Sequence, residues 1–226
     1  VRMRSGTVDD VAVLADIDLR AVARGELPPL GTRSTAPLLL VCGNAKRDAC
    51  CALFGRALAA SAAAGIGDDV VWESSHLGGH RFAPTSLLLP WGVVHGALDH
   101  AGAVDLVARA REGRLRLEGY RGRTALRRWL QAAETAVREA EDVDGIDVLD
   151  VLRVTPFGRP APAPVGTPAA EPTAPVEAEV RHADGRAWRV VVERVELAER
   201  PESCGKGPVP GHVWVAGQPR PAPSWR

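Results

Sequence analysis

Chemically reactive side chains are concentrated in the segment 42–80. Three of the four cysteines and two of the six histidines of the 226-residue chain lie there. The cysteines follow an apolar run at 37–41 that is short and bounded by turn residues, a pattern typical of a buried strand. The histidines follow a second predicted strand at 69–73. Each group of reactive side chains thus comes directly after a strand, which restricts the folds open to this segment.

A helix is predicted between the two strands. Asp48 is a suitable N-cap for a helix that begins at the next residue, and the alanine-rich segment extends to about Ala64. Gly65 is then expected to end the helix. Cys50 and Cys51 fall in the first turn of this helix.

The topology of such a unit brings the reactive side chains together. A strand–helix–strand unit forms a parallel pair with a right-handed crossover. The carboxyl ends of both strands and the N-terminus of the helix then meet at the sheet edge where α/β folds bind ligands. Gly78 and Gly79 allow the backbone to bend so that both imidazoles turn inward. Thiolates with imidazoles form a set of metal ligands. The side chains expected to converge are Cys42, Cys50, Cys51, His76 and His80.

Composition excludes several classes of partner. The chain has 28 basic and 28 acidic residues, so no net charge attracts it to nucleic acid or to a membrane. No apolar stretch is long enough to span a bilayer, and no basic-then-apolar leader opens the sequence. We therefore expect a cytoplasmic protein, in which clustered cysteines indicate metal or redox chemistry. Only two basic residues are lysines, and Lys46 and Lys206 each lie close to a cysteine, either to place an ammonium near the thiolates or by chance.

The segments after the histidines predict the rest of the first domain. Residues 86–90 and 93–96 read as an antiparallel hairpin, and 103–110 as an amphipathic helix. Strand, helix, strand, hairpin and helix follow one another in the order of a thioredoxin-like fold of the α/β class. We expect this domain to cover 1–114, including a lead-in at 1–36.

The remainder, 115–226, is predicted to be an α+β extension. It contains a Pro-rich linker at 156–175, where seven prolines argue against a regular element. In the lead-in, 11–14 is predicted as a strand and 19–23 as one or two helical turns. The predicted elements of the extension are a helix at 124–141 and strands at 148–154, 176–182, 188–195 and 212–215.

The motifs of the chain resemble the sucrase/ferredoxin-like family from about residue 8 onward. The combination of a double cysteine with His-Leu-Gly-Gly-His-Arg-Phe is the most specific part of the likeness. The matching segments are Leu40-Val41-Cys42, Arg47-Asp48, Cys50-Cys51-Ala52, Trp72-Glu73, 75–83, 120–123, Gln131, Ala133-Glu134 and 203–206.

The resemblance implies an electron-transfer protein with a thioredoxin-like fold and a 2Fe–2S cluster held by two cysteines and two histidines. The sequence does not indicate the redox partner protein or the oligomeric state. Family members often carry His where this chain has Asn44 and Cys where it has Ser74, and neither position is an expected ligand. Carried over to this chain, the cluster ligands are Cys42, Cys51, His76 and His80.

Three alternatives to the cluster stay open at this point. Two cysteines and two histidines also form a structural zinc site, although the gap between Cys42 and Cys51 is longer than the usual zinc knuckle. A thiol-redox centre would use Cys50 or Cys51 at the helix N-terminus. A sucrose-splitting hydrolase would need facing carboxylates, and Glu73 is the only acid close to the site. Cys204 is expected in a loop, with a structural or shielding role near the cluster. The other histidines, His95, His100, His182 and His212, are expected to be surface or core residues.

Overall fold

The chain folds into a mixed α/β structure with two large sheets, each covered by helices. The structure is a computed structural model and describes residues 3–44, 49–154, 160–161 and 171–223. Among these residues, no helix has the length and apolar character needed to cross a membrane. The strands are β1 (Met3–Ser5), β2 (Thr32–Ser34), β3 (Leu38–Cys42), β4 (Val71–Ser74), β5 (Thr85–Leu89), β6 (Val93–Gly96), β7 (Tyr120–Arg123), β8 (Leu149–Val154), β9 (Pro160–Ala161), β10 (Val176–His182), β11 (Ala187–Pro201), β12 (Pro208–Ala216) and β13 (Arg220–Pro221); the helices are α1 (Leu19–Ala23), α2 (Arg56–Ile66), α3 (His100–Arg111) and α4 (Arg128–Glu141).

The first large sheet contains the predicted strand–helix–strand unit. Its strand order is β4-β3-β5-β6-β7, and β3 and β4 are parallel, with Cys42 opposite Ser74. The predicted hairpin is confirmed as the antiparallel pair β5–β6. β7 adds an antiparallel edge strand from beyond residue 114. The domain boundary at 114 itself stays a prediction.

Helices α2 and α3 pack against this sheet and against each other. The buried core between them includes Leu39 and Val41 of β3, Leu58 of α2 and Leu106 of α3. The alternation along β3, with residues 39 and 41 at zero exposure, places those two side chains in the core. Burial of each such side chain contributes about 1.5–3 kcal/mol.

The prediction that Gly65 ends α2 is wrong. The helix continues to Ile66 and ends at Gly67, whose φ of 128° favours glycine. A Cβ on Gly65 would lie 2.9 Å from Cε1 of His100, at the start of α3. Gly65 therefore allows α2 and α3 to approach closely, and the next glycine, Gly67, ends the helix.

The predicted strand at 11–14 is also wrong, because this segment forms a 3-10 helix, Val11–Asp16. The Asp10 carboxylate accepts a hydrogen bond from the Ala12 amide at 2.8 Å and so caps the helix. Val11 is 76% exposed, so no sheet covers this apolar run. The helical turns predicted at 19–23 are confirmed as α1, which Asp18 caps.

The second large sheet is antiparallel throughout and is covered by α4. Its order is β12-β11-β10-β8-β9, with β13 also paired to β11. The predicted helix in this region is confirmed as α4, and its residues Trp129, Leu130, Ala133 and Val137 are buried against this sheet. α4 begins at Arg128 and not at residue 124, because 120–123 form β7.

The predicted Pro-rich linker lies mostly outside the described residues. Within it, Pro160–Ala161 pairs with the end of β8 as the two-residue strand β9, so this short part is a regular element after all. Two strands run longer than the sequence predicts. β11 extends to Pro201, and β12 begins at Pro208.

A buried ionic network joins α4 to the first sheet. Glu134 of α4 and Arg138, one turn later, are both fully buried, with Arg138 Nη2 donating to Glu134 Oε1 at 3.0 Å. Arg123 of β7 forms an ion pair with the same carboxylate at 3.0 Å. Gln131 Nε2 donates to the Arg123 carbonyl at 2.9 Å. Arg123, Gln131 and Glu134 belong to motifs that the resemblance singled out, and in this structure they connect α4 to the first sheet.

His95 on β6 is a buried core histidine. Its side chain has zero exposure, and Nε2 donates to the Arg116 carbonyl at 2.8 Å. Burial is the main cause that lowers the pKa of His95 from its usual 6.5 to about 4, and the nearby charges of Arg116 and Arg121 lower it further. The folded protein therefore holds this imidazole neutral.

We expect His95 to destabilise the fold as the solution becomes acidic. The unfolded chain binds a proton on this residue below pH 6.5, whereas the folded chain does so only near pH 4. Stability is thus fully present above pH 6.5 and falls as the pH approaches 4, by about 3 kcal/mol in all. His95→Gln keeps a donor for Arg116 and removes the titration. Urea unfolding of both proteins at about pH 7 and about pH 4.5 checks this; equal losses in the two proteins would contradict it.

Candidate metal centre

Cys42 and Cys51 are both buried on elements that meet at the carboxyl edge of the first sheet. Cys42 is the last residue of β3, and Cys51 opens a π-helical turn, Cys51–Gly55, that leads into α2. Both cysteines have zero exposure. A Cβ on Gly55 would lie 1.9 Å from the Cys42 carbonyl oxygen, so only glycine lets the helix start rest on the strand end. π-helical turns recur at functional sites.

The two histidines are brought to this edge by a left-handed glycine pair. Gly78 and Gly79 have φ values of 79° and 67°, which confirms that they bend the backbone between the rings. Thr85 of β5 donates to the Gly79 carbonyl at 3.1 Å and fixes the bend on the sheet. The ring centroids of His76 and His80 are then 5.1 Å apart.

His80 is the histidine that contacts a cysteine of the site. Its Nδ1 lies 3.5 Å from Cys51 Sγ. His80 is half-buried and His76 is exposed, so the imidazoles form the outer side of a site whose inner side is the two buried thiols. Among the described residues, no group of three or more Cys, His, Asp or Glu side chains is placed so that it could hold a metal ion. The assignment of four ligands therefore stays a prediction.

Cys50 turns away from its neighbour and toward the C-terminal sheet. Its Sγ lies 2.7 Å from Sγ of Cys204, in the loop between β11 and β12. The sequence predicts Cys50 among the converging residues and Cys204 in a loop near the cluster, but not a contact between the two. The structure places Cys204 in that loop and in contact with Cys50.

Asn44 contacts one of the predicted ligands. Its Nδ2 lies 3.0 Å from Nδ1 of His76. The sequence marks Asn44 only as a departure from the family pattern. Because the amide group holds one ring nitrogen of His76, it fixes the direction of the other nitrogen.

The loop at 202–207, between β11 and β12, forms a wall beside His80. A cavity of about 360 Å³ is lined by Cys50, Phe54 and His80 on one part and by the loop on the other. A second cavity, of about 480 Å³, is lined by Arg128 and Lys206 among others. The sequence predicts a role for Cys204 near the cluster, and the structure places its loop beside His80, but the contact with Cys50 was not predicted.

Charged side chains surround the outer side of the site. Arg81 and Lys206 line both cavities together with Glu202. Glu73, the acid that the sequence places near the site, pairs with Arg56 at 3.2 Å. Three residues named in the sequence analysis lie outside the described residues, namely Lys46, Arg47 and the predicted N-cap Asp48.

Comparison with known proteins identifies the family. The family model described as Sucrase/ferredoxin-like matches residues 7–122, slightly more than half of the chain. This chain belongs to the sucrase/ferredoxin-like family. The match confirms the resemblance read from the sequence, and it contains every predicted ligand. No match was found among curated proteins, and none among solved structures.

We expect Gly55→Ala to destabilise this member of the family at the candidate site. The added Cβ would lie 1.9 Å from a backbone oxygen, so the helix start and the strand end must move apart. Overpacking of this kind costs about 1–3 kcal/mol. Gly217→Ala is the matched control, because its Cβ would make an ordinary contact at 3.5 Å. Urea unfolding measures both, and an equal effect of the two substitutions would contradict the role given to Gly55.

Proposed function

We propose that this sucrase/ferredoxin-like protein carries one 2Fe–2S cluster in a thioredoxin-like domain and transfers electrons. The proposal rests above all on the contact between buried Cys51 and half-buried His80, 3.5 Å apart at the carboxyl edge of a parallel strand pair. The proposed ligands are Cys42, Cys51, His76 and His80.

The donor set fits such a cluster. Cys42 and Cys51 offer two thiols without solvent contact, and His76 and His80 offer two imidazoles at the rim. Mixed cysteine and histidine ligation of a 2Fe–2S cluster is known from Rieske centres. A structural zinc site would instead draw four donors around one ion. The eight residues between Cys42 and Cys51 exceed the two to four of a usual zinc knuckle, which favours the larger cluster.

The chain's own residues have distinct tasks in this proposal. The cluster, when bound, supplies one-electron chemistry. The zero exposure of Cys42 and Cys51 keeps water from the thiolates, and the exposed ring of His76 marks the side from which a redox partner approaches. Neutral imidazoles in place of two thiolates leave the site less negative, so it accepts an electron more readily. Asn44 holds the ring of His76 in place.

The order of elements supports the thioredoxin-like part of the proposal. A parallel pair joined by α2 is followed by an antiparallel hairpin and by α3, all in one sheet-and-helix unit. The hydrolase alternative gains less support, because glycoside hydrolysis needs a facing pair of carboxylates. Glu73 is instead held by Arg56.

We expect the protein purified without oxygen to be red-brown with about two irons per chain. Cys42→Ser and Cys51→Ser should lose the colour and the iron, because each removes a ligand. Cys50→Ser and Cys204→Ser should keep both, because these thiols contact each other. Metal analysis and absorption spectra check the four variants.

Two results would overturn this assignment. A colourless protein that tightly holds one zinc per chain would refute the cluster. A cluster that survives in Cys51→Ser but not in Cys50→Ser would move the ligand by one residue along the helix start.

We expect the histidine ligands to set the midpoint potential. His76→Cys or His80→Cys replaces a neutral donor by a thiolate, so the potential should fall in each variant that still assembles a cluster. His100→Cys is the matched control, since this exposed histidine at the start of α3 is not a proposed ligand. Protein-film voltammetry measures the three variants. Potentials equal to that of the unmodified protein in all three would show that the histidines do not bind iron.

A further inference from the structure

Two thiols that are distant in the chain lie in contact beside the candidate metal centre. The Sγ atoms of Cys50 and Cys204 are 2.7 Å apart, although the two residues are 154 positions apart in the sequence. The two residues are not joined by a disulfide in this structure. A disulfide has an S–S length of about 2.05 Å, so a small displacement of the loop at 202–207 would allow the bond to form.

Both thiols are placed where a small oxidant reaches them. Cys204 is exposed and Cys50 is half-buried. Both line the cavity of about 360 Å³ beside His80. Cys50 belongs to the helix start on the first sheet, whereas Cys204 belongs to a loop of the second sheet. A bond between them would join the two parts of the cavity wall.

We infer that Cys50 and Cys204 form a reversible disulfide that fastens the loop at 202–207 over the cavity beside His80. This bond uses neither of the cysteines proposed as cluster ligands. It is therefore a modification site separate from the cluster, and its presence is measured by thiol mapping and not by iron content.

The oxidant in this proposal is a low-molecular-weight disulfide. The exposed Cys204 thiolate attacks one sulfur of that disulfide, and the first small thiolate leaves and takes up a proton. The Cys50 thiolate then attacks the Cys204 sulfur in the mixed disulfide, and the second small thiolate leaves and is protonated. The two protein thiols are thus oxidised by two electrons, and the small disulfide is reduced to two thiols. An excess of small thiol reverses both steps.

The bond would restrict access to the exposed side of the metal centre. His80, Arg81 and Lys206 line the same cavity as the two thiols. With the disulfide formed, the loop at 202–207 stays in place as one wall of the cavity. A partner that approaches His80 then meets a wall that does not move. With the thiols reduced, the loop at 202–207 is held only by non-covalent contacts.

The test uses the purified 226-residue protein in mixtures of oxidised and reduced glutathione. After equilibration the remaining thiols are alkylated and the peptides are mapped by mass spectrometry. We expect a peptide pair joined through Cys50 and Cys204, whose fraction rises with the share of oxidised glutathione and returns to zero on reduction. Amide exchange at 202–207 should slow by roughly tenfold or more in the oxidised form.

Variants separate the two adjacent cysteines, which fall in one peptide. The joined pair should persist in Cys51→Ser and disappear in Cys50→Ser and in Cys204→Ser. Fragment ions of the unmodified protein identify the bonded sulfur without any substitution. Glutathione bound to Cys204 alone, or a bond from Cys51 to Cys204, would overturn the inference. Full alkylation of both thiols at the most oxidising mixture would overturn it as well.

Discussion

The candidate site depends on one close contact between backbones, where Gly55 lies against the carbonyl of Cys42. A side chain at position 55 would overlap that oxygen, so the contact exists only because the residue is glycine. It brings the first turn of a helix onto the end of a strand, and each of these elements carries one buried cysteine. Both thiols are thereby buried at the same edge of the sheet and have no contact with solvent.

The histidine side of the site is built by different means. The left-handed pair Gly78 and Gly79 turns the chain after β4, and Thr85 holds that turn on β5. The site is therefore supported by the core strand β3 and by both of its neighbours in the sheet, β4 and β5. The buried ionic network of Arg123, Glu134 and Arg138 extends this support by fixing the second sheet's helix to the far edge strand. An uncompensated charge in such a network is strongly destabilising, so the two sheets are held as one body at that point.

Local patterns in the sequence were sufficient for most of the first sheet. The parallel pair, the hairpin and the position of Cys42 follow from short apolar runs and turn residues, because a strand after a crossover helix has few alternatives. Helix ends were harder to predict. Glycine commonly ends helices, but Gly65 lies against His100 and instead allows two helices to pack closely. The sequence alone does not show that contact. The strand prediction at 11–14 was wrong for a related reason. The Asp10 carboxylate accepts a hydrogen bond from the Ala12 amide, which a strand would have needed for pairing in a sheet.

The sequence does not predict which residues far apart in the chain contact each other at the site. Cys204 is separated from Cys50 by 154 positions and by most of the second sheet, so no local period connects them. The two consecutive cysteines nevertheless have different surroundings for a simple geometric reason. Successive residues of a helix point about 100° apart. At the start of a helix that lies on a sheet edge, one such residue faces the sheet and the next faces the solvent side. Cys51 accordingly has zero exposure beside His80, and Cys50 reaches a thiol on an exposed loop. A double cysteine at this position thus gives one sulfur to the interior of the site and the other to its outer wall, without any change of backbone.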